Sequence, residues 1–281
     1  MRSNIPSVPQ EVITEVATRT GIFDDVDDEI GQPTELYWDD VVDVVCAGTG
    51  PGALAQAILC TDLGLRVELA ETVAPTGLSD PDTVAYLESM TEDLGPLDPS
   101  SAGLELPVVH AAPVPPRTDR RARIEPFVGS RLRDWSARCM ESPFGVVYSG
   151  IPEAGVTAMR SDSGESIRAA VLGPYRPDAE CPGAALADWM AEEAWERNLA
   201  GHDLGLQRLI FEWGRVAGAA IDTASGTRLI RARAGVALST GAVPADATWA
   251  AQPELRDVVA QLAIVSRTGS RFGRVELLFT T

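Results

Sequence analysis

The sequence contains no lysine; all 23 of its basic residues are arginine. This excludes every mechanism that needs a primary amine on a flexible stem, among them a P-loop lysine, a pyridoxal Schiff base and a β-lactamase-type lysine. Histidine is almost as scarce, with only His110 and His202. The cysteines Cys46, Cys60, Cys139 and Cys181 form no C-x-x-C pair, so a Cys/His metal cluster cannot be assembled at the usual spacings. No metal is expected. Positive charge is short overall, with 23 basic against 41 acidic residues, a net charge of -18. Such a balance repels phosphate backbones and anionic lipid, so neither nucleic acid nor a membrane is an expected partner. No apolar run approaches the ~20 residues of a spanning helix, and Met1–Val12 lacks a stretch of signal-peptide length. A cytoplasmic, soluble protein is expected. Cys46 and Cys60 lie inside apolar runs and read as buried thiols of a reducing compartment.

What is present is enough apolar residue for a real core: 45% of 281 residues. Residues 1–37 stand apart, with Asp24, Asp25, Asp27, Asp28 and Glu29 crowded together, and read as an acidic N-terminal arm. From Val41 to Ala47 a β-branched run predicts a strand. Glycines follow at once, then helical spacing through Asp62, and a second strand from Leu65 to Ala70. A βαβ unit of this kind requires parallel strands. Asp82 to Leu94 predicts a second amphipathic helix, ended by Gly95 and Pro96.

From Pro96 to Pro116 the composition predicts an irregular excursion, followed by an arginine-rich segment from Arg117 to Arg138 that reads as pairing with the protein's own acids. A hairpin is expected over Gly155 to Gly173, turning at Ser161–Gly164, and a helix over Pro182 to Asn198. Closely spaced strand runs then follow, Leu206–Phe211, Val216–Ile221, Leu229–Arg233 and Val236–Ser239, with turns at Trp213-Gly214 and Ser225-Gly226. They predict an antiparallel meander. A last helix over Pro253 to Ala263 and a short C-terminal strand complete the reading.

The segment Gly48-Thr49-Gly50-Pro51-Gly52-Ala53 falls between a predicted strand and a predicted helix, the setting in which a glycine fingerprint gains weight. Gly48 permits the tight turn, Gly50 lets the backbone approach a pyrophosphate, and Ala53 takes the third position at the helix–strand contact. Pro51 is tolerated at a helix start, and the helix N-terminus from Gly52 would face the diphosphate. Twenty-three residues beyond Gly48 stands Glu71, placed to accept hydrogen bonds from a ribose and to repel a 2′-phosphate. This leaves FAD or NAD as the expected ligand.

These residues resemble the FAD-dependent oxidoreductases that include 3-ketosteroid dehydrogenases and the fumarate reductase flavoprotein, with this chain as a short, divergent member. The resemblance covers Trp38 to Glu71, extends more weakly through Asp82 to Leu94, and returns from Gly183 to Val243, ending in Ser239-Thr240-Gly241. It implies an α/β, Rossmann-like FAD/NAD(P)-binding fold with a parallel sheet, an antiparallel β-meander and a reduced inserted region. The FAD-binding domain would be discontinuous, residues 38–95 and 182–281, around an inserted region at 96–181. By position, the resemblance places Thr240 and Gly241 on the diphosphate side of FAD and Leu206 near the adenine. It departs from the family after Glu71, where Thr72 to Ser79 holds no glycine pair to wrap the flavin, and at the missing C-terminal glycine-rich return.

As an enzyme, the resemblance implies dehydrogenation or reduction of a C–C bond next to a carbonyl in a small-molecule substrate. Tyr148, Tyr175 or an arginine of the 117–138 run are the candidates for moving the proton, and none matches a family motif. The alternative is a degenerate, non-catalytic protein, or one whose flavin site is completed by a partner chain. A third reading is an NAD-binding protein.

Overall fold

The computed structural model describes residues 36–48, 50–72, 78–97, 105–115, 129–176, 182–199, 202–243 and 259–280. Residues 1–35 of the acidic arm, the first part of the arginine-rich segment and Cys181 lie outside them. Tyr37–Thr281 forms one unit.

The first elements follow the sequence closely. Strand β1 (Asp40–Ala47) leads into helix α1 (Pro51–Asp62) and strand β2 (Val67–Thr72). β1 and β2 pair in parallel, Val44 with Val67 through Ala47 with Ala70. Helix α2 (Pro81–Thr91) starts at Asp80, whose carboxylate accepts from the Thr83 amide at 2.9 Å, and ends in a 3-10 turn at Glu92–Leu94.

Then come strand β3 (Val108–Pro113), helix α3 (Gly129–Glu141), strand β4 (Gly145–Tyr148), and the hairpin strands β5 (Thr157–Ser161) and β6 (Ser166–Tyr175). Helix α4 (Pro182–Glu196) precedes β7 (His202–Glu212), β8 (Arg215–Thr223) and β9 (Gly226–Ser239). The chain closes with β10 (Ala260–Ser266) and β11 (Phe272–Thr280). Among the described residues no helix is long and apolar enough to cross a membrane.

The eleven strands among the described residues share one mixed sheet. Five of them, β1, β2, β7, β8 and β9, close on themselves as a barrel, because β9 pairs with both β8 and β1. A second closed circuit runs through β3, β5, β6, β10 and β11, and β4 joins the two by pairing with β9 and β11. The structure is thus a mixed sheet with few helices. Parallel pairing is confined to β1–β2, β1–β9, β2–β7 and β11–β3, and the other pairings are antiparallel. The expected parallel sheet is a minority part of this architecture.

β9 makes the arrangement possible. It pairs with β8 over Gly226–Arg231 and with β4 over Ala237–Ser239, while β1 pairs with it over Ile230–Leu238. The exchange of neighbours coincides with a bulge, where Val42 pairs with Ala232 but Val44 pairs with Gly235, at φ +134°.

Buried on both faces, β1 divides two apolar clusters. Val45 and Ala47 enter one with Leu206, Ile221, Ile230 and Leu238, while Val44 and Cys46 enter the other with α1, Phe144, Leu186 and Met190. Cys46 and Cys60 are free buried thiols, as expected, and so is Cys139.

Two expectations are corrected, and one segment without an assigned element gains one. Residues 260–263 are strand, not the end of a helix, because Ala260–Ser266 is paired on both edges, by β11 and by β6. The excursion after Pro96 contains a regular strand, β3, held parallel to β11 and antiparallel to β5. Part of the arginine-rich segment is helix α3, whose Trp135, Ser136 and Cys139 face inward while Arg131, Arg133 and Arg138 face out. The strands β3 to β6 all come from residues 96–181 and lie in the same sheet as β9 to β11.

Candidate functional site

The glycine turn joins β1 to α1 at the carboxyl end of the parallel pair, where open α/β sheets place ligands. Gly48 has φ +119°, a conformation that favours glycine, and its amide donates to the Ala70 carbonyl at 3.0 Å. Glu71 follows Ala70 on β2, just past the last residue paired with β1. Thr49 lies outside the described residues.

Gly50 caps α1, with Pro51 in the first helical position. Of the first-turn amides, Pro51 has none and Ala53 donates to the Ser239 hydroxyl at 2.8 Å. That hydroxyl donates in turn to the Gly50 carbonyl, also at 2.8 Å. Ser239, buried at the end of β9, therefore supplies the helix cap that Gly50 lacks.

The residues after β9 and the start of β4 fill the space beside the glycines. A Cβ on Gly50 would fall inside the Gly241 carbonyl, and one on Gly52 inside the Gly145 carbonyl. Thr240 is fixed beside them: its amide donates to the Gly145 carbonyl at 3.0 Å, and its hydroxyl lies 3.0 Å from the Cys139 carbonyl and 2.9 Å from that of Ser142. Leu206, on β7 opposite Ile221, is buried in the apolar cluster.

A diphosphate takes free amides at the helix start and a close approach to the second glycine. Here one amide is absent, one is capped by Ser239, and the approach to Gly50 holds a carbonyl oxygen, whose partial negative charge opposes a phosphoryl oxygen. Spacing marks the turn and the resemblance points to Thr240 and Gly241, but neither signals Ser239 as the group that caps α1.

Neither tyrosine considered for proton transfer stands open to solvent. Tyr148 donates to Gln56 Oε1 at 2.9 Å, and burial, with the neighbouring thiols, raises its pKa well above the usual phenol value. Tyr175 is buried against Trp189, ring edge to face at 5.9 Å. Of the arginines expected to pair internally, Arg133 meets Asp134 at 3.8 Å, while Arg138 lies over the Trp135 ring at 5.4 Å. Arg267 and Arg274 share that ring, at 4.8 and 5.5 Å.

No protein-family model matches the chain, and no characterised protein matches it in sequence. Solved structures similar to it include a 3-ketosteroid-Δ4-(5α)-dehydrogenase from Rhodococcus jostii RHA1 in complex with 4-androstene-3,17-dione. The match has 19% identity over 73% of this chain and 47% of that one, with a TM-score of 0.33. A flavocytochrome c3 fumarate reductase is similar at 15% identity over 69% of this chain and 33% of that one, TM-score 0.31. The myxobacterial halogenase CndH, a variant of FAD-dependent halogenases, is similar at 17% identity over 69% and 36%, TM-score 0.25. The chain spans less than half the length of each of these structures. At such scores, what the chain does must be argued from its own residues.

Proposed function

We propose that this protein is an FAD-binding-type, oxidoreductase-like scaffold that does not hold a dinucleotide at its glycine turn unaided, and is therefore non-catalytic or completed by a partner chain. The observation that carries this reading is the closure of the turn by β9: Ser239 takes the Ala53 amide, and the Gly241 carbonyl stands where the second glycine would admit a phosphate. The glycines are then a packing requirement, since a Cβ would meet backbone at Gly50 and Gly52 and the Ser239 side chain at Gly48.

A second reading is favoured by a different observation. β1 and β2, joined through α1, are parallel and in register, with Glu71 near the carboxyl end of β2, the chain position at which an acid receives an adenosine ribose in dinucleotide folds. On that reading the protein binds FAD and dehydrogenates or reduces a C–C bond adjacent to a carbonyl. FAD would supply the hydride chemistry. The described residues give no proton donor at such a site.

The experiment is an absorption spectrum of the freshly purified protein, followed by titration with FAD and with NAD. The proposal expects a colourless protein that quenches no added FAD fluorescence. A yellow protein retaining stoichiometric FAD overturns it in favour of the second reading, and saturable NAD binding overturns it in favour of a nicotinamide ligand.

A further inference from the structure

At the other end of α1, away from the glycine turn, lies a cavity of about 140 Å³. Its walls are the C-terminal half of α1, the bulged part of β9 and the segment that follows β4. The bulge shapes it. Gly235 brings β9 against Ser149, whose amide donates to the Val236 carbonyl at 2.9 Å and whose hydroxyl accepts from the Val236 amide at 2.9 Å. At its far end the same segment rests on α1, where a Cβ on Gly155 would lie 3.0 Å from Leu63. Pinned at both ends, the segment gives a preformed wall.

The lining is mostly apolar, with one buried polar chain. Gln56 is 7% exposed in the middle of an otherwise apolar helix face. Its Oε1 accepts from Tyr148, and its Nε2 donates to Cys60 Sγ at 3.0 Å. Sulfur is a weak acceptor, and a carboxamide has two N–H donors, so Gln56 keeps donor capacity beside the cavity. A buried donor with so poor a partner is costly. Glu153 on the wall disfavours an anion. The volume suits one ring, since a dry cavity of about 150 Å³ holds benzene.

We propose that this cavity is a binding site for a small neutral molecule of about one ring, bearing a hydroxyl or carbonyl that accepts a hydrogen bond from Gln56. It is independent of the dinucleotide question, because none of the residues of the glycine turn lines it.

The test uses phenol as the probe and alkylation by iodoacetamide as the readout, followed residue by residue by mass spectrometry. Cys60 lines the cavity, whereas the buried Cys139 does not and serves as the internal control. Phenol at ten times its dissociation constant slows Cys60 alkylation about tenfold and leaves Cys139 unchanged. Ala154→Trp, at an exposed position on the rim, fills the mouth and abolishes the phenol effect. Gln56→Leu weakens phenol about tenfold. Where Cys60 resists alkylation altogether, the thermal midpoint decides: phenol raises it in the wild type and not in Ala154→Trp. Should that variant not fold, Ile151→Trp at another exposed lining position replaces it. The proposal is overturned if phenol up to its solubility changes neither Cys60 reactivity nor the midpoint, or if its effect persists with the mouth filled.

Discussion

The hydroxyl of Ser239 caps helix α1 through the amide of Ala53, a residue 186 positions earlier in the chain. A helix cap is usually local; here it is tertiary, and it couples the end of β9 to the first crossover. Ser239→Ala leaves a buried amide unpaired and should cost about 1–3 kcal/mol, measured by urea unfolding. Because the variant also frees that amide, it tests the scaffold reading: FAD titration of the folded variant should still give no binding, as the Gly241 carbonyl remains in place.

Gly50→Ala drives a Cβ into backbone that cannot rotate away. We expect a loss of about 3 kcal/mol or more. Gly64→Ala is the control: its φ is +73°, with nothing within 4 Å of a new Cβ, so only backbone strain of about 1 kcal/mol applies. Equal losses in the two melts would show that the β9 contact is not what requires glycine in the turn.

The β7–β8 hairpin should be improvable. Trp213 and Gly214 have φ values of 53° and 72°, the pattern of a type I′ turn, and Trp213 is 98% exposed. An asparagine adopts this conformation at less cost, so Trp213→Asn should raise stability by about 0.5–1 kcal/mol. A lower thermal midpoint would mean that the indole makes a contact that stabilises the folded chain.

Asp80 gives a pH dependence with a defined sign. Hydrogen bonds from the Thr83 hydroxyl, at 2.7 Å, and from its amide hold the Asp80 carboxyl below its ordinary value of 3.8. Its contribution is present above the unfolded value and is lost as pH falls through the folded one. Asp80→Asn keeps an acceptor at the cap but cannot titrate there. The stability gap between the wild type and this variant should therefore shrink as pH drops below 3.8, read from urea midpoints at a series of pH values.

The first crossover was legible because its periodicity changes sharply, from the β-branched Val41–Val45 run to small residues at helical spacing. The meander was legible because Trp213-Gly214 and Ser225-Gly226 mark its turns. Helix α3 was hidden by its arginines, although Leu132, Trp135, Ser136 and Cys139 keep a helical stripe. Ala260–Ala263 was misread because a short apolar run has no period that distinguishes helix from strand. At the site, the glycines announce a close backbone approach but not its partner. Only the pairing of β9 beside β1 shows that Gly241 and Ser239 make that approach.

β9 keeps a single alternation across its bulge, so that Ile230, Ala232, Val236 and Leu238 all enter the same apolar cluster. Removing Ala234 would invert everything downstream of it, turning Val236 and Leu238 out of their cluster and swinging Ser239 away from Ala53. A one-residue deletion here would take the barrel lining and the helix cap together, so this strand tolerates no change of length.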